Sequence, residues 1–252
     1  MSDVKTLAYI NAFAIFGAFK EVCELDSKAK ELASPEKPVS VRFNVTNGPQ
    51  AVFKFENGVV TTTAGAGPAN IHLKLFSPEG LNKMVDGTGT PIPLKGLLKL
   101  GFVLKNFTEL GAIAETYLRA TPEKLLDRDF FEKSTKIMAS VIAGAICQIG
   151  NHDPIGSVAA SRLPNGDLAF EIGDDVAHTI RCNNGKLEHL HEKCLNPRAV
   201  MKFNDLDTAR GMFDGKVDAM ECLGEGSLVL KGYFPILMGI NNMLGIVAEY
   251  LA

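Results

Sequence analysis

Tryptophan is absent from this 252-residue chain, and neither sign of charge dominates it. Its 26 Lys and Arg stand against 29 Asp and Glu, a formal net charge of -3. No basic field is there to draw in a phosphate backbone, so nucleic acid is not an expected partner. No CxxC pair occurs among the five cysteines, Cys23, Cys147, Cys182, Cys194 and Cys222. Their odd number, in a chain long enough to need no covalent staples, reads as reduced thiols in a cytoplasm. The longest uncharged stretch, residues 232–248, is interrupted by Pro235, Asn241 and Asn242. It falls short of the roughly 18–20 apolar residues of a membrane span, so a soluble protein is expected. The apolar stretch 6–19 runs straight into Lys20 and Glu21, which does not fit a signal peptide. There is no GxSxG and no local cysteine signature. Residues 63–68, TAGAGP, lack both the GxGxxG pattern and the GK[ST] ending of a phosphate loop and read as an ordinary loop. No enzyme chemistry and no cofactor are therefore expected.

What the chain does have is 46% hydrophobic and 22% charged residues, the balance of a folded globular protein, arranged in a repeat. Residues 39–45, VSVRFNV, alternate apolar and polar as a half-buried strand does. Val41, Phe43 and Val45 recur as Leu168, Phe170 and Ile172 at an offset of 127, and the hairpin dipeptide Asn57-Gly58 recurs as Asn184-Gly185. The strand IHLKLF (71–76) meets Ala199, Met201 and Phe203 at an offset of 128. A helix opened by Ser77-Pro78 carries Leu81, Met84 and Val85 on one face, and one opened by Asp205 carries Ala209, Met212 and Phe213. Both end on Asp-Gly, at Asp86-Gly87 and Asp214-Gly215. Farther on, IPLKG (92–96) lies over LVLKG (228–232), and GAIAETYL (111–118) over GIVAEYL (245–251). Two copies, 1–120 and 121–252, each read as leading helix, four strands, short helix, fifth strand and long apolar helix. The leading helices are expected near 4–33 and 122–150.

Residues 198–251 resemble the sterol carrier protein 2 family. The strand AVMKF is followed by DLDTARGMFDGKVD, an acidic cysteine-bearing segment, GSLVLKG and a hydrophobic C-terminal helix. Gly215-Lys216 and the run from Gly226 to Gly232 stand where that family has a Gly-Lys and a Gly-x-Leu-x-Leu-x-Gly strand. The first copy is a degraded match: Thr88-Gly89-Thr90 follows Gly87, and Pro91 and Pro93 deprive its last strand of ladder donors, which predicts an edge or irregular strand. The resemblance implies an α+β fold of two repeats, each a five-stranded, mostly antiparallel sheet covered by helices. It also implies an apolar pocket for a fatty acid, acyl chain, sterol-like molecule or other lipid, without covalent chemistry and with transient membrane contact.

The second copy keeps the motif and is the expected binder. Its pocket walls are expected from Phe170, Ile172, Met201, Phe203, Met212, Phe213, Leu230, Phe234, Met238 and Met243, since Met-rich and aromatic surfaces line adaptable pockets. A rival reading places a metal or an enzyme site at Glu188, His189, His191 and Cys194, where His189 and His191 share one face of a strand. A third makes the apolar closing helices an oligomer interface without a ligand. The short junction at 119–122, and closing helices apolar nearly all round, predict one body with pseudo-twofold symmetry.

Overall fold

A computed structural model describes residues 2–251. The chain divides into two compact units, Met1–Pro122 and Glu123–Ala252. Unit 1 comprises α1 (Val4–Ile10), α2 (Phe19–Leu25), α3 (Ser27–Leu32), β1 (Val39–Val45), β2 (Gln50–Glu56), β3 (Val59–Ala64), β4 (Ile71–Leu75), α4 (Pro78–Val85), β5 (Ile92–Lys95), α5 (Leu100–Phe102) and α6 (Thr108–Leu118). Unit 2 comprises α7 (Arg128–His152), α8 (Gly156–Ser161), β6 (Gly166–Ile172), β7 (Val176–Asn183), β8 (Lys186–Leu190), β9 (Ala199–Phe203), α9 (Leu206–Phe213), α10 (Ala219–Glu225), β10 (Leu228–Gly232) and α11 (Phe234–Leu251).

Each unit is α+β with one five-stranded sheet, ordered β3-β2-β1-β4-β5 and β8-β7-β6-β9-β10. Only the central pair in each, β1 with β4 and β6 with β9, runs parallel. The repeat seen in the sequence is realised in that pair's register. Val41, Phe43 and Val45 stand beside Ile71, Leu73 and Leu75, while Leu168, Phe170 and Ile172 stand beside Ala199, Met201 and Phe203. Both Asn-Gly hairpins form with both residues at positive φ, Asn57 at 54° and Gly58 at 77°, Asn184 at 49° and Gly185 at 72°. Ser77 and Asp205 cap α4 and α9 by accepting from the backbone N–H of Gly80 and Thr208. The strand with prolines, β5, lies at its sheet edge, and its pairing with β4 slips between His72 and Leu73.

The helices differ from expectation. The first copy's leading helix is not continuous: a π-helical turn at Asn11–Ile15 and an extended Asp26 divide it into three pieces. In the second copy the helix begins at Arg128 rather than Pro122, because Asp127 is the cap, accepting from Phe130 N–H at 3.0 Å. By length and composition alone, the stretches Val4–Leu25 and Phe234–Leu251 could cross a membrane; 72% of the first and 39% of the second is buried. The second is α11, which covers its unit with Ile236, Leu237, Ile240, Met243, Val247 and Tyr250 and leaves Phe234 and Met238 exposed.

The two interiors are filled differently. In unit 1, Phe16, Phe43, Phe53 and Phe107 form a cluster with ring centroids 5.2 to 6.1 Å apart, and Phe19 and Phe55 adjoin it. Unit 2 has the smaller chain Phe170, Phe203, Phe213.

Candidate functional site

An open groove of about 490 Å³ lies on unit 2, lined by Pro154, Ile155, Val158, Ala159, Arg162, Leu163, Pro235, Gly239 and Asn242. Its walls are the turn after α7, the helix α8 and the first half of α11. Asp153, buried at the end of α7, sets the turn. Its Oδ1 accepts from the backbone N–H groups of Ile155 and Gly156, each at 2.8 Å, and its Oδ2 accepts from the Tyr250 hydroxyl at 2.6 Å. One carboxylate therefore fixes the start of α8 and the end of α11 together. Gly239 allows α11 to approach the end of α8, since a Cβ there would collide with Leu163 Cδ2. The walls are apolar except for Asn242 and Arg162, and Arg162 has no ion pair among the described residues.

None of the ten residues expected in the pocket lines this groove. Phe170, Ile172, Met201 and Phe203 lie on the central strands and are at most 3% exposed. Inward side chains of the middle strands of a sheet meet the covering helices and pack solid. Met243 is buried against Gly150, Met212 and Phe213 are half-buried on α9, and Leu230 is half-buried on the edge strand β10. Phe234 and Met238 are on α11 among the groove residues in sequence but exposed, at 64% and 46%. The groove residues 154–163 carry no periodic signal in the sequence, because they form a turn and a six-residue helix.

The sequence cluster Glu188, His189, His191, Cys194 comes apart in the structure. Leu187 faces α7, for a Cβ at Gly150 would collide with it. By alternation His189 and His191 share that side. Glu188 stands beside Arg181 on the other face, where Arg181 donates twice to Asp167 at 2.9 Å and the Cys194 thiol sits 3.9 Å from Asp167 Oδ2. The residue that joins the two histidines is His178 of β7, whose Nδ1 lies 3.1 Å from His189 Nε2. The five cysteines are free thiols, four of them buried. Burial, with Asp26, Glu24 and Glu21 nearby, pushes the Cys23 thiol up to about 12, and burial likewise raises Cys147.

No protein-family model and no curated protein sequence matches the chain. Solved structures do. The sterol carrier protein domain 2 of Helicoverpa armigera is 12% identical over 42% of this chain and 85% of its own, with a TM-score of 0.34. A conserved hypothetical protein of Thermus thermophilus, described as possibly a sterol carrier protein, is 22% identical over 43% of this chain and 85% of its own, with a TM-score of 0.33. A structure described as "UbiJ-SCP2 Ubiquinone synthesis protein" is 13% identical over 44% of this chain and 95% of its own, with a TM-score of 0.34. Each of these three covers less than half of this chain, and strand order and register carry the fold assignment by themselves.

Proposed function

We propose that the chain binds and carries a hydrophobic small molecule with an anionic end, a fatty acid being the simplest, and that binding rather than covalent chemistry is its role. The observation behind this reading is the unit 2 groove. Its volume falls inside the range of roughly 300–1,000 Å³ typical of small-molecule sites, and its composition is the usual one of apolar walls with few polar groups. An acyl chain would lie along Ile155, Val158 and Leu163. Its carboxylate would pair with the Arg162 guanidinium, a planar fork suited to two parallel hydrogen bonds.

Exchange of such cargo with a bilayer needs a surface that touches lipid, and unit 1 offers one. Leu94, Leu97, Leu98 and Leu104 are exposed, Leu98 fully, and they alternate with Lys95, Lys99 and Lys105. No acidic residue occurs between Asp86 and Glu109. Exposed leucines among lysines suit an anionic membrane surface, where each cation contributes about 1 kcal/mol.

Displacement of a fluorescent fatty acid from the full-length protein tests the groove. Val158→Asp sets a charge among the apolar walls at a side chain already 51% exposed, so the fold survives while binding falls by about tenfold or more. Arg162→Glu weakens binding of the acid and spares the corresponding fatty alcohol. Undiminished acid binding by folded Val158→Asp would overturn the assignment.

A further inference from the structure

We infer that His178, His189 and His191 form a binding site for a divalent ion of the zinc class in unit 2. His178 is on β7 and buried; His189 is on β8 and His191 follows its last residue, both half-buried. The pairing of Ile180 with His189 in the β7–β8 ladder, continued by two residues, sets His191 across from His178 on the side that faces α7. One ligand atom from each of the three lies within 4.8 Å of the others. The ring centroids are 4.9, 5.9 and 4.1 Å apart. The chain at the open end of β8 is held by the Thr179 hydroxyl, which donates to the Glu192 carbonyl at 2.8 Å.

Coordination chemistry decides what such a cluster takes. Nitrogens bound tetrahedrally to zinc at ~2.0–2.1 Å stand about 3.3 Å from one another. The His178–His189 pair, at 3.1 Å, is already at that spacing, and half-buried His191 offers the third nitrogen within 4.8 Å of both. Three imidazoles without a thiolate or carboxylate disfavour magnesium and calcium, which select oxygen, and favour zinc, cobalt, nickel or copper. Three protein ligands leave a fourth position, open to water on the half-buried side of His189 and His191, which is the pattern of a zinc that keeps an exchangeable ligand. His189 and His191 are legible together in the sequence, but His178 lies eleven residues before His189 and the β7–β8 hairpin brings it in. This inference is independent of the lipid-binding reading.

The test uses full-length protein stripped with a chelator and titrated with Co²⁺ and then Zn²⁺ at pH 7.5. We expect one equivalent of Co²⁺ to give the visible bands of tetrahedral coordination and zinc to displace it. His189→Ala and His191→Ala, whose half-buried positions leave the fold intact by circular dichroism, each lower zinc affinity by more than the ~10–100-fold that loss of an outer-shell partner costs. Cys194→Ser and His152→Ala leave affinity unchanged. The inference is overturned if cobalt gives only the spectrum of the hydrated ion. It is equally overturned if zinc binds with the same affinity to both folded histidine variants, or if Cys194→Ser abolishes binding. Fatty acid displacement run in parallel is unaffected by His191→Ala, which separates this site from the groove.

Discussion

Removing one hydroxyl should loosen unit 2 and its groove together. In Tyr250→Phe the phenyl ring keeps its place, and Asp153 Oδ2 loses its donor. The bond lost is 2.6 Å long, within the ~2.5–2.7 Å range of charge-assisted O–H···O⁻ bonds, and both residues are nearly sealed from solvent, Asp153 at 6% and Tyr250 at 8%. Water cannot fully replace the donor there, so the cost is that of a hydrogen bond to a charged group, about 1.5–3 kcal/mol. With an m-value of about 2 kcal/mol/M the urea midpoint of unit 2 falls by roughly 1 M. A chain with two units need not unfold in one step, so the assay is hydrogen exchange by mass spectrometry across a urea series, which reads each unit separately. Unit 1 supplies the matched control. There Tyr117 donates to Asp26 Oδ2 at 2.8 Å while Asp26 Oδ1 accepts from Ala29 N–H at 2.9 Å, the same arrangement. Tyr117→Phe should therefore destabilise unit 1, by less because Asp26 is half-buried, and leave fatty acid binding unchanged, whereas Tyr250→Phe weakens binding because Asp153 sets the position of Ile155. In an Asp153→Ala background the cost of Tyr250→Phe should nearly vanish. A cost below about 0.5 kcal/mol, or one that persists in that background, would refute the reasoning.

Other outcomes follow from the same geometry. Leu98→Glu reverses both the apolarity and the charge of the exposed unit 1 stretch; it should abolish co-sedimentation with vesicles containing anionic phospholipid and leave the melting temperature unchanged, and retention on vesicles would show that the surface lies elsewhere. In the native protein at pH 8 a thiol reagent should modify Cys194, the half-exposed thiol, before Cys23 or Cys147, which are buried and hold their protons. Because folding raises the Cys23 thiol to about 12, its contribution to stability is complete below the unfolded value of about 8.5 and is lost as pH rises from there towards 12. A Cys23→Ala variant should accordingly show a shallower fall in stability between those values in alkaline urea melts.

The fold was legible because the residues that define it also repeat. Phe43 and Phe170 occupy the same register position in two sheets, and a side chain buried on a central strand tolerates little change of character, so alternation and offset both survive. The capping residues Ser77 and Asp205 and the Asn-Gly hairpins are local and could be read without knowing the rest. The helices were less legible. Apolarity along residues 4–25 says nothing about a π-turn at Asn11–Ile15. The apolar surface of α11 does not reveal which side is covered: Ile236, Leu237 and Ile240 are buried, whereas Phe234 and Met238 are exposed. The groove depends on where α8 meets α11, and the histidine trio on which strand lies beside β8. Both are tertiary facts carried by residues far apart in the chain.

The tyrosine–aspartate pair shows how the two copies diverged while keeping one frame. Asp26 and Asp153 are separated by the same offset of 127 as the strand residues, and Tyr117 and Tyr250 fall at matching places in GAIAETYL and GIVAEYL. Both copies thus keep the bond that ties the end of the leading helix to the closing helix. What changed is the filling. Phe16, Phe19, Phe53 and Phe55 of unit 1 correspond at that offset to Ala143, Ile146, Ile180 and Cys182 of unit 2, all buried. Unit 1 fills its interior with packed aromatic rings, which stabilise a core. Unit 2 has the same frame with smaller side chains inside it, and its groove lies where α8 meets α11, with Leu163 and Gly239 in its walls. One frame thus accepts two fillings, aromatic in unit 1 and mostly aliphatic in unit 2, because the strand register and the tyrosine–aspartate bond that define it do not depend on which apolar side chains lie inside.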